Sequence, residues 1–119
     1  MKRDMDLLRR MVLCLQDNSR RRPLTALDGV DQRLFNYHAL LLVQANIAVG
    51  TVEPIQSGIP MKALLFELTW EGQDFADSIR NDTVWEKAKE NVIKPVAGWT
   101  FSILKDYLKA ELTKYLPPL

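Results

Sequence analysis

The sequence predicts an α+β fold, mostly helical, on three features of one stretch. An apolar helix over residues 32–45 comes first. Two strand-like runs, 47–53 and 62–68, then flank a Pro/Gly loop. Leu68-Thr69-Trp70-Glu71-Gly72 finally opens another helix. The chain has 119 residues, 47% of them hydrophobic and 26% charged. That is enough for one domain to bury a core without metals or disulfides.

A first helix runs from a cap at Asp4 or Asp6 to about Asp17. Leu7, Leu8, Met11, Val12, Cys14 and Leu15 fall at the three/four spacing of one buried face, with Arg9, Arg10 and Gln16 opposite. Asn18-Ser19 ends it, Arg20-Arg21-Arg22-Pro23 connects, residues 24–27 suit a single strand, and Asp28-Gly29 signals a turn. In the helix at 32–45, Leu34, Phe35, Tyr37, Ala39, Leu40, Leu41, Leu42, Val43 and Ala45 leave almost no polar face, so several sides are predicted to be covered. Asn46 suits the left-handed residue that ends such a helix. Pro54, Gly58 and Pro60 should keep the hairpin loop out of the ladder.

Thr69 is the expected cap of the next helix, which turns Trp70, Phe75, Ala76 and Ile79 inward and stops near Asn81. Thr83-Val84-Trp85-Glu86 fits a capping box opening another helix, interrupted at Pro95 and Gly98. A last helix, about 99–115, carries Phe101, Leu104, Leu108, Leu112 and Tyr115 on one stripe and Trp99, Ile103, Tyr107 and Ala110 on a second. Helix, hairpin, helix is the order of the second half of a winged-helix domain. The prediction is therefore one domain over 1–119: a winged-helix-like core (1–82) with a β-hairpin wing, and a C-terminal helical extension (83–119).

Net charge is +1, which gives no strong pull toward nucleic acid or membrane. The distribution is uneven: residues 1–62 hold nine Lys/Arg against six Asp/Glu, and 63–119 hold seven against nine. An anion-binding surface therefore belongs to the first half. Cys14 is the only cysteine, so no intramolecular disulfide forms, and its apolar neighbours predict a buried thiol. The opening MKRDMD is too acidic and polar for a signal peptide, and no apolar run reaches the roughly 18–20 residues of a membrane span. The expected compartment is the cytoplasm.

Catalytic chemistry is missing from the pattern, and no enzyme is expected. His38 is the only histidine, so no metal-binding pair exists, and no cofactor is implied. The glycines are scattered, which excludes a phosphate loop. Asp74 and Asp77, one turn apart, read as a solvated face. His38 has two readings: a helix histidine bonded to a backbone carbonyl or solvent, or a phosphate donor or pH-sensitive contact. A DNA site can be drawn on the predicted core. Gln32, Arg33, Asn36 and Tyr37 occupy the N-terminal half of the helix that would enter the major groove. Arg20, Arg21, Arg22 and Lys62 could neutralise phosphates. The loop from Glu53 to Ile59, however, carries no Lys or Arg.

Met1-Lys-Arg-Asp-Met-Asp-Leu, Tyr37-His38 with Leu41, Leu42 and Ala45, Leu68-Thr-Trp-Glu-Gly-Gln-Asp-Phe, Asp82-Thr-Val-Trp-Glu-Lys and Phe101-Ser-Ile-Leu-Lys resemble a family of short bacterial and prophage proteins that carry a domain of unknown function. The resemblance covers nearly the whole chain. A looser one is to winged-helix repressors of the arsenical-resistance type, whose recognition helix often ends like HLKLLREAGLV. His38, Leu41, Leu42, Ala45 and Ile47 are similar to that pattern. Ala39, Leu40, Val43 and Asn46 depart from it, and residues 27–32 leave no room for the first helix of a helix-turn-helix pair.

Two functions follow as expectations. The first is a prophage-type, transcription-regulator-like protein that contacts double-stranded DNA through the residues above. The second is an interaction or dimerisation module with a degenerate winged helix, pairing with itself or another protein through Leu40, Val43, Trp99, Ile103 and Tyr107.

Overall fold

The computed structural model describes residues 2–18, 22–53, 55–56, 58–95 and 98–114. It is an α+β fold dominated by helices. α1 (Met5–Gln16) begins at Asp4, whose carboxylate accepts from the Leu7 amide at 3.1 Å. Met5, Leu7, Leu8, Met11, Val12 and Leu15 are buried along it. Cys14 is exposed, against expectation. It sits at the rim of the apolar stripe, past Leu7, where the helix surface curves back to solvent.

The predicted strand at 24–27 reduces to one antiparallel bridge. Leu24 and Leu65 exchange backbone hydrogen bonds of 2.8 and 3.0 Å. Leu27–Val30 is a turn closed by a 3.2 Å bond from the Val30 amide to the Leu27 carbonyl, and no helix forms there. α2 (Gln32–Gln44) follows, capped by Asp31 at 3.2 Å. Phe35, Asn36, His38, Ala39, Leu40 and Leu42 are buried, which covers more than half of its circumference. It packs against α1 and against the strands that follow, as an all-round apolar helix must. Asn46 ends it at φ 60°, as expected.

β1 (Ala48–Val52) pairs antiparallel with β4 (Ala63–Leu68), with a bulge between Val49 and Gly50. Between them β2 (Ile55–Gln56) and β3 (Ile59–Pro60) make a short second ladder. Pro60 thus lies in a ladder, contrary to expectation. Proline is tolerated at the edge of so short a ladder, and its carbonyl accepts from the Asn36 side-chain amide of α2 at 3.2 Å. Pro54, the third residue of that expectation beside Gly58, falls outside the described residues.

α3 (Trp70–Ile79) is capped by Thr69, whose hydroxyl accepts from the Gly72 amide at 2.9 Å. The inward residues are Gly72, Phe75, Ala76 and Ile79. Trp70 is a correction: it is 86% exposed. It lies two positions before Gly72, on the opposite side of a helix whose stripe runs 72, 75, 76, 79.

Contacts divide the chain into two units, Met1–Ala76 and Asp77–Leu119. In the second, α4 (Asp82–Ala88) is capped by Asn81, at 3.0 Å to the Val84 amide, rather than by the Thr83 box. Asn81 is an equally good cap three residues earlier than its bonding partner, so the helix starts sooner. A π-helical turn (Lys89–Ile93) continues it. α5 (Phe101–Thr113), capped by Thr100, packs on α4 and the π turn, burying Leu104, Leu108 and Glu111. Leu112 is half-buried, and Tyr115 lies outside the described residues.

Candidate functional site

The N-terminal turn of α2 is tied to its surroundings by a chain of side-chain amides. Gln32 Nε2 donates to the Thr25 carbonyl at 2.8 Å and to Asn36 Oδ1 at 2.9 Å, and Asn36 Nδ2 donates onward to Pro60. Asn36 is 3% exposed, so it faces inward and clasps the helix to the hairpin. Buried and bonded at both ends, the Asn36 amide does not reach an adenine edge in the folded chain. Gln32 is exposed, but both its amide protons are engaged, which leaves its oxygen as the free group.

Around this clasp is a small cleft of about 220 Å³ lined by Thr25, Gln32, Asn36, Met61, Lys62, Ala63 and Leu64. The structure therefore brings Lys62 to Gln32 and Asn36, which lie one turn apart on α2. Arg33 is exposed on the same turn of α2, and Tyr37 is half-buried. Tyr37 meets the His38 ring edge-on, with centroids 5.4 Å apart.

Arg22 lies elsewhere, in a wider groove of about 700 Å³ shared with Asp6, Arg9, Arg10, Leu13, Cys14, Asp17 and Leu24. Arg10 links that groove to the approach of α2, because its Nη2 donates to the Asp28 carbonyl at 2.9 Å. Arg9 and Arg10 are cations that the DNA reading of the sequence had left out; their place opposite the apolar stripe of α1 was the available signal. Arg20 and Arg21 lie outside the described residues.

His38 is fully buried and built into the frame. Its Nδ1 is 2.8 Å from the Leu34 carbonyl, and its Nε2 is 2.8 Å from the Asp4 amide. An amide can only donate, so Nε2 accepts and the proton resides on Nδ1, where it donates to Leu34. The backbone-bonded reading of His38 is the one found.

The residues predicted for association are dispersed. Leu40 is buried in the chain's own core and offers no interface, and Val43 is half-buried. A helix that is apolar all round has been covered from within. On α5, Ile103 is 45% exposed and Tyr107 half-buried; Trp99, also half-buried, precedes the Thr100 cap and lies outside the helix predicted to include it. The Tyr107 hydroxyl accepts from Asn91 at 2.8 Å. Glu111, also on α5, is buried and accepts from Lys114 at 2.8 Å, with the Lys87 ammonium 3.8 Å from its other oxygen. Bonding to Lys114 is the main reason its carboxyl is held below the ordinary carboxylate value; burial works against this.

Among the described residues no three of His, Cys, Asp and Glu gather as metal ligands. None of the described helices is long and apolar enough to cross a membrane.

The chain belongs to the family described as "Hypothetical protein (DUF2513)", whose model matches residues 2–98. A protein of Haemophilus influenzae, described as uncharacterized, is 37% identical over 121 residues, covering 98% of this chain and 99% of its own length. The likeness seen in MKRDMDL and LTWEGQDF to a family of unknown function is borne out. No solved structure matches the chain.

Proposed function

We propose that the N-terminal unit is a reduced winged-helix-like module that binds double-stranded DNA, in the manner of a transcription regulator. One observation carries the reading: the exposed first turn of α2, with Gln32 and Arg33, opens beside Lys62 at the loop end of the β1–β4 ladder. A recognition helix followed by a two-stranded wing uses that corner to meet DNA. The order α1, Leu24 bridge, α2, β1, β4, α3 supports it as well. The missing helix is the one that would precede α2, replaced by the turn at Leu27–Val30.

Binding on this reading is led by phosphates. The Asn36 and Gln32 amides are spent on the clasp, so Arg33, Lys62, Arg10, Arg22 and the Tyr37 hydroxyl do most of the work. Such contacts position a protein on a duplex and carry little sequence information. No reaction is proposed. Association through α5 is the second reading, favoured by the exposure of Ile103.

The test is fluorescence anisotropy of a mixed-sequence duplex at low and moderate salt. The wild type should bind with an affinity that falls steeply with salt. Arg33→Ala should weaken binding on every sequence and lower the salt slope by about one. No binding even at low salt would sink the proposal.

A further inference from the structure

The hairpin turns an apolar face outward, and the backbone enforces it. Strict alternation along β4 would place only every second residue outside. The bulge opposite Val49 and Gly50 breaks that alternation, and Phe66 and Glu67 are both exposed in succession. Gly50 is what allows it: a Cβ there would collide with the Leu64 carbonyl oxygen. Phe66 is 46% exposed, and Val49, the register partner of Glu67, is also 46% exposed. One residue past the last ladder contact, where the Thr69 amide bonds the Ile47 carbonyl, Trp70 stands 86% exposed on the outer side of α3. Large exposed apolar side chains on neighbouring positions of one hairpin and the helix that follows it mark candidate interaction surfaces.

Charge says what covers this face. Glu67, Glu71 and Asp74 are exposed around it, and residues 63–76 contain no Lys or Arg. A second copy applied to the same face about a twofold axis would bring these carboxylates against their own counterparts. A basic partner would instead be drawn in. Among the described residues, β1 has a strand partner on one side only, β4, so its other edge is open to an added strand.

We propose that this face, Val49, Phe66 and Trp70 beside the open edge of β1, docks an extended segment of another protein in which Lys or Arg alternates with apolar residues. The main chain of that segment would continue the sheet beyond β1. Its apolar side chains would lie first on Val49 of the adjacent strand and extend toward Phe66 and Trp70, and its cations would reach toward Glu67, Glu71 and Asp74. This proposal does not rest on DNA binding, which uses the N-terminal end of α2 and the loop end of the β1–β4 ladder.

The experiment uses the full chain and a labelled synthetic peptide of alternating valine and lysine, read by anisotropy. Controls are a valine/glutamate peptide and a glycine/lysine peptide. Trp70→Ala and Glu71→Lys alter exposed side chains, and circular dichroism confirms that both variants fold. The valine/lysine peptide should bind the wild type, and each variant should bind it about tenfold more weakly. Both control peptides should also bind at least about tenfold more weakly. Equal binding by the glycine/lysine peptide would overturn the proposal, since attraction would then be charge alone. So would unchanged binding by Trp70→Ala, or no binding by the wild type. A self-association in sedimentation that Trp70→Ala abolishes and the peptide does not compete would also overturn it, in favour of a second copy.

Discussion

Replacing His38 by alanine tests what holds the two long helices of the N-terminal unit in register. The ring is fully buried and bridges the Asp4 amide, at the cap of α1, to the Leu34 carbonyl in α2. Removing it leaves the Asp4 amide without its acceptor, a loss of about 1–3 kcal/mol when no water replaces it. The emptied volume between well-packed neighbours adds a cavity cost. Together these come to roughly 2–4 kcal/mol, which for a chain of this size lowers Tm by about 10 °C. Leu34 loses less, because its carbonyl keeps its place in the helical ladder.

The assay is urea unfolding followed by both tryptophan emission and far-ultraviolet circular dichroism, with DNA affinity measured beside it. His38→Gln supplies an oxygen that can accept from Asp4 and should recover about half of the loss. Below the transition, His38→Ala should bind DNA within about twofold of wild type, since the ring faces no solvent. The reasoning fails if His38→Ala keeps wild-type stability while losing DNA affinity, because the ring would then be a phosphate donor.

Other outcomes follow from the same contacts. Asn36→Leu should destabilise by about 1–3 kcal/mol in urea unfolding, since Gln32 and the Pro60 carbonyl lose a shared partner. Gly72→Ala should cost about 3 kcal/mol or prevent folding, measured by thermal melting, because its Cβ would collide with the fixed Ile47 carbonyl rather than with a movable side chain. Glu111 in the folded chain ionises below its ordinary range, so its stabilisation is present above the ordinary carboxylate pKa and disappears as pH falls through the lowered value. Glu111→Gln should therefore flatten the acid side of a Tm-against-pH curve, and Lys114→Met should lessen its slope.

Much of the frame was legible because single residues carried it. Asp4, Asn46 and Thr69 each occupy a terminus that their side chain or backbone preference marks, and the structure puts the termini there. The periodic stripe of α1 failed at Cys14 and that of α3 at Trp70, both next to correct residues. A stripe has edges, and composition does not say whether an apolar residue at the edge meets a neighbour or water. The site was harder to read for a related reason. Asn36 and Gln32 look like base readers in sequence because helix-start amides suit that task. Their use as a clasp depends on Thr25 and Pro60, which reach them only through folding.

The outward face of the hairpin shows the same limit from the other side. Gly50 within a strand signals a bulge or a close approach, but the side chain it redirects lies on the opposite strand, sixteen residues later at Phe66. Alternation along β4 alone places Phe66 and Leu68 on one face, with Leu65 and Glu67 on the other. The bulge reassigns them, sending Leu65 and Leu68 to the core and Phe66 and Glu67 to solvent. An exposed aromatic beside a carboxylate is thus a consequence of pairing. Gly50→Ala, by opposing the bulge, should disturb the Phe66 face before it disturbs α1 or α5. Amide hydrogen exchange should show faster exchange confined to β1 and β4 at first. Uniform acceleration across α1, α5 and the hairpin alike would mean that the bulge belongs to the common core and does not shape the face by itself.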